Sequence, residues 1–330
     1  MADAGQQVGL ASIGLGWWGN MLAAAAKQSA SLVACYARNP QAREAFAGLH
    51  GCRSVGDLAE LWADPEIDGV IIATPHGVRE AVIREAASAG KHVFVEKPLA
   101  LTVAEARACA AAAEAAGVVL QVGHNKRRQT GNRMLKAALE AGELGQLQHV
   151  ESNISGPLVF KPDLPEWRKD PEDLPAGGMT PLGVHMIDTI HYLAGGVSRV
   201  MAMSKRVSER LDVDDVTAVL LDLKSGPLAY LGTLMASGPV NTVAAFGTEG
   251  AAWSEQDGAK FFRQKRGEMG RNESAVSTID TLADEMAEFV DCIRTGKAPE
   301  TGAPEGIAVV EVLEAIIESA ATGREVVIPA

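Results

Sequence analysis

A glycine-rich turn near the N-terminus is the feature that most limits how this chain can fold. The turn, Gly14-Leu15-Gly16-Trp17-Trp18-Gly19, follows the apolar run VGLASI and precedes an alanine-rich stretch. Between a strand and a helix, this spacing provides a tight turn, close backbone approach to a pyrophosphate, and close packing of helix on strand. The turn therefore predicts a strand followed directly by a helix, and it favours dinucleotide binding over a purely structural turn.

The N-terminal part of the chain alternates short apolar runs with helical segments. The apolar runs are VGLASIG, LVACYAR, DGVIIATP, HVFVEKP and VVLQVGH. Helices are expected to begin near Trp17, Pro40, Asp57, Gly77 and Thr102. Such alternation is typical of a doubly wound parallel sheet, in which ligands bind beyond the carboxyl ends of the strands. We therefore predict a dinucleotide-binding Rossmann domain over residues 1–126.

The pattern changes after residue 126. A predicted helix over 132–141 and a predicted strand over 147–154 precede a Pro- and Gly-rich loop, and an apolar helix follows the loop. The runs VMAMSKRV, VTAVLLDL, LAYLGTLM and NTVAAFG then predict strands separated by turns, and two helices, 280–295 and 304–322, close the chain. Residues 127–330 are thus expected to form a substrate-binding α/β domain with a large, mainly antiparallel open sheet.

Composition and charge limit the classes of partner. The chain has 330 residues, enough for two domains, and its net charge of −12 argues against nucleic acid or an anionic membrane as a partner. No apolar window reaches the roughly 18 residues of a membrane span. The four cysteines form no CxxC pair. The chain is therefore expected to be cytoplasmic, with neither a disulfide framework nor a zinc site.

The end of the second apolar run bears on which nicotinamide cofactor is bound. An NAD-binding domain usually places a carboxylate there, whereas this chain has Ala37, Arg38 and Asn39. A guanidinium would hold a 2'-phosphate that a carboxylate would repel. The sequence therefore favours NADP over NAD, and the alternative is that Arg38 is simply a solvated surface residue.

Two further segments carry residues suited to acid-base chemistry. Lys97 lies near the end of the run HVFVEKP, where partial desolvation beside a nicotinamide would suit proton transfer, although it could instead pair with Glu96 or a phosphate. His185 and Asp188 are three residues apart and share one face of the apolar helix. These residues are candidates for the catalytic site.

Five elements in order, GLGWWG, ATPHGV, VEKPLA, VGHNKRR and AGGMTPLGVHMID, resemble the Gfo/Idh/MocA oxidoreductase family from Val8 to the C-terminal helix. The resemblance implies an NAD(P)-dependent oxidoreductase acting on a hydroxyl or carbonyl carbon of a sugar, inositol, sugar acid or related cyclic substrate, usually without a metal. It also implies that Lys97 and His185 transfer protons, and that the open sheet forms a homodimer or homotetramer. We also expect the C-terminal helix to pack back toward the Rossmann domain.

The expected site residues fall into three groups. The cofactor-binding group is Gly14, Gly16, Trp17, Trp18, Gly19, Arg38, Asn39, Thr74, Pro75, His76, Glu96 and Lys97. The substrate-binding group is Asn125, Arg127, Trp167, Arg168 and His185. The catalytic group is Lys97, His185 and Asp188, in which Asp188 either orients the imidazole or has a structural role. A metal site at His185, Asp188 and His191 is the less favoured interpretation.

The basic run Lys126-Arg127-Arg128 has two interpretations of equal weight. It could bind an anionic substrate such as a carboxylated or phosphorylated molecule. Alternatively, it is a solvated basic start to a helix.

Three positions depart from the family pattern. Pro181 stands where many of the family's sugar and inositol dehydrogenases have an aspartate, four residues before the histidine. His76 and Arg79 replace a common asparagine and histidine, and the acidic residue after the second apolar run is absent. These departures keep open a non-catalytic regulatory or sensor member of the family that binds the dinucleotide. Hydrolysis with a tightly bound NAD is a third, less favoured function.

Overall fold

The computed structural model describes residues 7–329, which divide into two compact units. Unit 1 comprises the residues up to His124 together with Asp280–Ile307, and unit 2 comprises Asn125–Ile279 together with the residues from Ala308 onward. The segment 280–307, which the sequence prediction assigned to the second domain, therefore clusters with the N-terminal residues. No helix within 7–329 is both long and apolar enough to cross a membrane.

Unit 1 is built on a six-stranded parallel sheet. Its strands are β1 (Gly9–Ile13), β2 (Ser31–Tyr36), β3 (Arg53–Ser54), β4 (Gly69–Ile72), β5 (His92–Glu96) and β6 (Leu120–Gly123), in the order β3-β2-β1-β4-β5-β6. The helices between them are α1 (Trp17–Ala26), α2 (Pro40–His50), α3 (Leu58–Ala63), α4 (Arg79–Ser88) and α5 (Val103–Ala116). The strand order reverses between β1 and β4, which is where Rossmann folds bind ligands. The predicted Rossmann fold is confirmed.

Local sequence determines where several of these helices begin and end. Asp57 and Thr102 both form capping boxes, in which the side chain accepts from the backbone while a glutamate three residues later reaches back to the cap. Gly51 and Gly117 end α2 and α5 with φ of 74° and 64°, a left-handed conformation that costs glycine little.

Unit 2 contains a nine-stranded sheet. Its strands are β7 (Leu147–Ser155), β8 (Val197–Lys205), β9 (Val216–Leu223), β10 (Leu228–Leu234), β11 (Val240–Gly247), β12 (Gly250–Glu255), β13 (Lys260–Lys265), β14 (Asn272–Ser274) and β15 (Val326–Val327). Their order is β14-β13-β12-β11-β7-β10-β9-β8-β15, and the pairs are antiparallel except β7 with β10. The predicted, mainly antiparallel sheet is confirmed, and β12 to β15 are additional to the strands predicted from sequence.

Helices α6 (Thr130–Glu140) and α7 (Gly183–Ala194) belong to unit 2, α8 (Thr281–Thr295) belongs to unit 1, and the chain changes unit within α9 (Ala303–Thr322). The apolar face of α8 joins the core of unit 1 through Leu282, Met286, Phe289 and Val290. In unit 2, α6, α7 and the later part of α9 contribute to one core with the inward side chains of the sheet.

Candidate functional site

Each of the three glycines of the GxGxxG turn avoids a side chain for a different structural reason. Gly14 has φ of +90°, and a Cβ there would lie 2.6 Å from the Ala73 carbonyl oxygen. A Cβ on Gly19 would lie 2.0 Å from the Gly14 oxygen, whereas one on Gly16 would meet nothing within 4 Å. The first and third glycines are thus required by the packing of the turn itself. The space beside Gly16 is open to an approaching ligand.

The start of α1 fits the phosphates of a dinucleotide. Gly16 is the N-cap, so no side-chain oxygen caps the helix, and its first turn carries no acidic residue. The positive end of a helix attracts anions. At the end of β4, the buried Thr74 hydroxyl has no hydrogen-bond partner within the described chain. A phosphorylated cofactor would fit these three features: the open space beside Gly16, the helix N-terminus without an acidic residue, and the buried Thr74 hydroxyl that is available to donate a hydrogen bond.

Arg38 and Asn39 lie exposed after β2. The Asn39 side chain accepts a hydrogen bond from the Ala42 backbone N–H at 3.2 Å and so caps α2. Arg43 donates from Nη1 to the Ala37 carbonyl at 2.8 Å, which holds the corner between β2 and α2. The guanidinium of Arg38 is therefore presented at the surface on an ordered corner.

Lys97 lies just beyond the carboxyl end of β5 and is only 6% exposed. Its Nζ is 3.9 Å from Oε2 of Glu96 and 5.7 Å from the centroid of the Trp18 ring. The Lys97-Pro98 peptide is cis. The structure thus brings Lys97 together with Glu96 and with Trp18 of the glycine turn, three residues that the sequence assigned to the cofactor site.

Arg79, which the sequence identified only as a departure from the family, bonds the backbone on both sides of Lys97. It follows the short 3-10 helix His76–Val78 and donates from Nε and Nη2 to the Thr74 carbonyl, at 3.1 and 2.9 Å. From Nη1 it donates to the carbonyls of Glu96 and Pro98, at 2.6 and 2.7 Å. The burial of Arg79 could have been predicted from the sequence, because helical spacing places it on the apolar face of α4.

In unit 2, α7 carries both His185 and Asp188 as buried side chains, exposed by 4% and 1%. Arg127 donates from Nε to Oδ2 of Asp188 at 2.9 Å and from Nη2 to Oδ1 at 2.5 Å. This fork-to-fork geometry is the strongest form of an arginine-carboxylate pair. Asp188 therefore has a charged partner other than His185, which supports its structural role.

Tyr192 extends this pair on the next turn of α7. The Arg127 guanidinium carbon lies 5.3 Å from the centroid of the Tyr192 ring, and Arg133 donates to the Tyr192 hydroxyl at 2.9 Å. The guanidinium of Arg127 is thus fixed by a carboxylate and by an aromatic ring.

Lys126 pairs with the Asp257 carboxylate. Burial acts to raise the pKa of Asp257, but the Lys126 ammonium and the Asn241 and Gln129 amides outweigh it, and the pKa lies below its ordinary value. Lys126 and Arg127 of the basic run are therefore both paired with carboxylates of their own unit.

The remaining predicted substrate residues lie in two segments of unit 2. Asn125 is buried in the 3-10 helix Asn125–Arg128 before α6. Trp167 and Arg168 are half-buried in the loop before α7, with the Arg168 guanidinium 4.5 Å from the Trp167 ring centroid. Pro181 lies in the turn before α7. Across 7–329, no group of three or more His, Cys, Asp or Glu side chains is arranged to hold a metal ion.

Comparison with known proteins agrees with this architecture. Residues 8–124 match the oxidoreductase family with an NAD-binding Rossmann fold, and residues 132–253 match the GFO/IDH/MocA C-terminal domain. The chain is 26% identical over 287 residues to 1,5-anhydro-D-fructose reductase of Ensifer adhaerens, and the match covers 82% of this chain and 83% of the relative. It is 26% identical over 298 residues to the NADP(+)-dependent scyllo-inositol 2-dehydrogenase of Bacillus subtilis, covering 83% and 82%.

A solved structure from Desulfitobacterium hafniense, to which an NADPH-dependent oxidoreductase activity is ascribed, superposes with a TM-score of 0.91. The two chains are 28% identical, and the match covers 98% of each. This chain therefore belongs to the Gfo/Idh/MocA family of NAD(P)-dependent oxidoreductases, the family of sugar and inositol dehydrogenases and reductases.

Proposed function

We propose that this protein transfers a hydride between NADP(H) and a hydroxyl-bearing or carbonyl carbon of an uncharged sugar, inositol or related cyclic polyol. One observation carries the proposal. A lysine that is only 6% exposed follows β5 of the Rossmann sheet, with its ammonium beside an indole of the dinucleotide turn.

The residues of unit 1 suit the NADP cofactor. The open face of Gly16, the N-terminus of α1 and the Thr74 hydroxyl would hold the phosphates. Arg38 would pair with the 2'-phosphate, since Ala37 and Asn39 supply no carboxylate to repel it. The bound nicotinamide supplies the carbon that accepts or returns the hydride.

Lys97 and His185 are assigned separate roles on the substrate oxygen. The Lys97 ammonium would hold this oxygen and stabilise negative charge on it, an effect that is stronger where water is excluded. His185 would take the hydroxyl proton on oxidation and return it on reduction. Asp188 would fix the helix that carries His185 through its pair with Arg127, and would not itself exchange the proton.

The pairing of two cations of the basic run favours an uncharged substrate over a sugar acid or a phosphorylated sugar. Arg127 and Lys126 each have a carboxylate partner within the unit, so neither adds an uncompensated positive charge. Asn125 would offer amide hydrogen bonds, and the stacked Trp167 and Arg168 would offer a flat surface to a ring. The two relatives described above are named for 1,5-anhydro-D-fructose and scyllo-inositol, which are uncharged.

We further propose that the open face of the unit 2 sheet joins subunits into a homodimer or homotetramer. The exposed large side chains on adjacent strands include Met201, Met203, Leu220 and Leu228. Met201 and Leu220 are direct partners across β8 and β9, so the apolar surface is continuous. Contiguous apolar surface of this kind usually marks an interface.

The activity test measures nicotinamide absorbance with NADP and NAD separately, against inositols, aldoses, anhydro sugars and sugar acids. Turnover is expected with NADP and an uncharged polyol. Lys97→Met should lower kcat by at least about 100-fold and leave cofactor affinity nearly unchanged. Lys91→Met is the matched control, because Lys91 is also buried but lies at the amino end of β5, bonded to the Asp64 and Ile67 carbonyls.

His185→Asn tests the second assignment and should lower kcat by roughly 100-fold or more. A protein that binds NADP but turns over no member of the panel would favour the regulatory alternative. Equal losses in Lys97→Met and Lys91→Met would remove Lys97 from the mechanism.

A further inference from the structure

Arg79 is a buried cation in unit 1 with no role so far assigned. It begins α4 and is only 4% exposed, although a guanidinium keeps its charge at any ordinary pH. Helical spacing places it on the same face as Val82 and Ile83, which are also buried. A buried charge is tolerated only where dipoles or counter-charges compensate it. The groups that bond the Arg79 guanidinium must therefore compensate its charge.

Three backbone carbonyls bind the guanidinium. Nε and Nη2 both bond the Thr74 oxygen, and Nη1 bonds the oxygens of Glu96 and Pro98, at 2.6 and 2.7 Å. Glu96 and Pro98 are the residues on either side of Lys97. One nitrogen thus fixes the main chain immediately before and after Lys97, and the other two tie that segment to the end of β4.

We propose that Arg79 is a positioning residue for Lys97, whose guanidinium clamps the backbone on both sides of the lysine and so sets where the ammonium stands. This inference rests on the proposed function, in which Lys97 acts on the substrate oxygen. Displacement of a reacting group by about 1 Å can cost roughly 100-fold in rate. Clamping of the two flanking carbonyls prevents such displacement.

The geometry requires an arginine in particular. A guanidinium offers five N–H donors in a rigid planar fork, whereas a lysine is a compact point charge and a histidine has at most two N–H groups that point apart. Arg79→Lys therefore keeps the charge and loses the three-carbonyl clamp. Because the proposal concerns the clamp and not the charge, Arg79→Lys is the most informative variant.

The experiment compares Arg79→Lys with Arg84→Lys, a matched control on the exposed side of the same helix, where Arg84 pairs with Glu80. We expect Arg79→Lys to lower kcat by roughly 10- to 100-fold, with NADP affinity little changed. In the protein without cofactor, reductive methylation of Lys97, followed by mass spectrometry, should become several-fold faster. Methylation of Lys91 in the same sample should keep its wild-type rate.

A further variant, Arg79→Ala, tests chemical rescue: added guanidinium should restore a measurable part of kcat to it and none to Lys97→Met. Should the alanine variant not fold, Arg79→Lys decides. Wild-type kcat and wild-type Lys97 methylation in Arg79→Lys would overturn the proposal, as would an equal loss of kcat in Arg84→Lys. If the wild-type protein turns over no polyol, the proposed function fails, and the methylation rates still decide whether Arg79 positions Lys97.

Discussion

The Lys97 ammonium lies 5.7 Å from the centroid of the Trp18 ring, so the last variable residue of the glycine turn contacts the candidate catalytic lysine. A cation over an indole is stabilised by about 0.5–2 kcal/mol, depending on solvation. Trp18→Leu removes the ring and should lower kcat by roughly 3- to 30-fold through a less restrained ammonium, whereas Trp18→Phe should lose less because it keeps an aromatic face.

The control for Trp18 is Trp62 on α3, whose indole N–H donates to the Glu85 carboxylate at 3.2 Å and which belongs to no expected binding group. Steady-state kinetics of Trp62→Leu should resemble the wild type. Unchanged kcat in Trp18→Leu would show that the indole contact has no part in placing Lys97.

The fold was largely predictable because its signals are local. The apolar runs and caps of unit 1 lie within a few residues of one another, and the glycine spacing sets the first turn. Strands β13 and β14 were missed because lysine, arginine, glutamate and other polar residues dominate their sequences and hide the two-residue alternation. The helix α8 was predicted at its place in the chain, but its packing on the core of unit 1 was not, since sequence position does not reveal which core an apolar face joins.

The candidate site was less predictable, because its decisive contacts join distant residues. Arg127 and Asp188 are 61 positions apart, and no periodicity connects them. Likewise, Arg79 reaches carbonyls 17 and 19 residues away, and backbone oxygens carry no sequence signature. Side-chain chemistry alone therefore suggested a substrate ligand at Arg127 and gave no sign of its ion pair with Asp188.

Arg38 should control the choice between the two nicotinamide cofactors. Its exposed guanidinium follows β2, where no carboxylate is present, and charge-assisted contact with a phosphate contributes about 1.5–3 kcal/mol. Arg38→Ala should therefore raise the KM for NADP by roughly 10- to 100-fold and change that for NAD little. Steady-state kinetics with both cofactors measures this. Equal increases in the two KM values would contradict a 2'-phosphate contact.

The pair of Arg127 and Asp188 should contribute strongly to the stability of unit 2. Arg127→Ala leaves a carboxylate buried without its charged partner, which typically costs about 3–5 kcal/mol in unfolding free energy. Replacing both members, as Arg127→Met with Asp188→Leu, should recover much of that loss, because no unpaired charge remains. Thermal unfolding followed by circular dichroism compares the variants. A double variant no more stable than Arg127→Ala would argue against this account.

His92 should make the stability of unit 1 sensitive to mild acid. Burial lowers the pKa of His92 more than Asp68 raises it, and Nδ1 accepts a hydrogen bond from the Val119 backbone N–H at 2.9 Å. Because the folded pKa lies below the unfolded value of about 6.5, the unfolded chain takes up the proton first as the pH falls. This contribution to stability is thus intact above about pH 6.5 and decreases below it, until the folded pKa is reached.

The test for His92 compares Tm against pH in the wild type and in His92→Asn, whose amide oxygen can still accept from Val119. The Tm of the variant should fall less between about pH 7 and pH 5 than that of the wild type. His149→Asn, a substitution in the other unit, is the control. Parallel Tm curves for wild type and His92→Asn would show that protonation of His92 does not limit acid stability.

The exposed face of the unit 2 sheet should determine the oligomeric state. Met201 and Leu220 are direct neighbours across β8 and β9 and are 44% and 59% exposed. Two glutamates there would bring charge into an apolar contact, where burial of unpaired carboxylates is strongly unfavourable. We expect sedimentation velocity to give a dimer or tetramer for the wild type and a monomer for Met201→Glu/Leu220→Glu. Leu49→Glu, at an exposed leucine of α2, is the control and should keep the wild-type mass. A monomeric wild type, or an unchanged mass in the double variant, would exclude this face as the subunit interface.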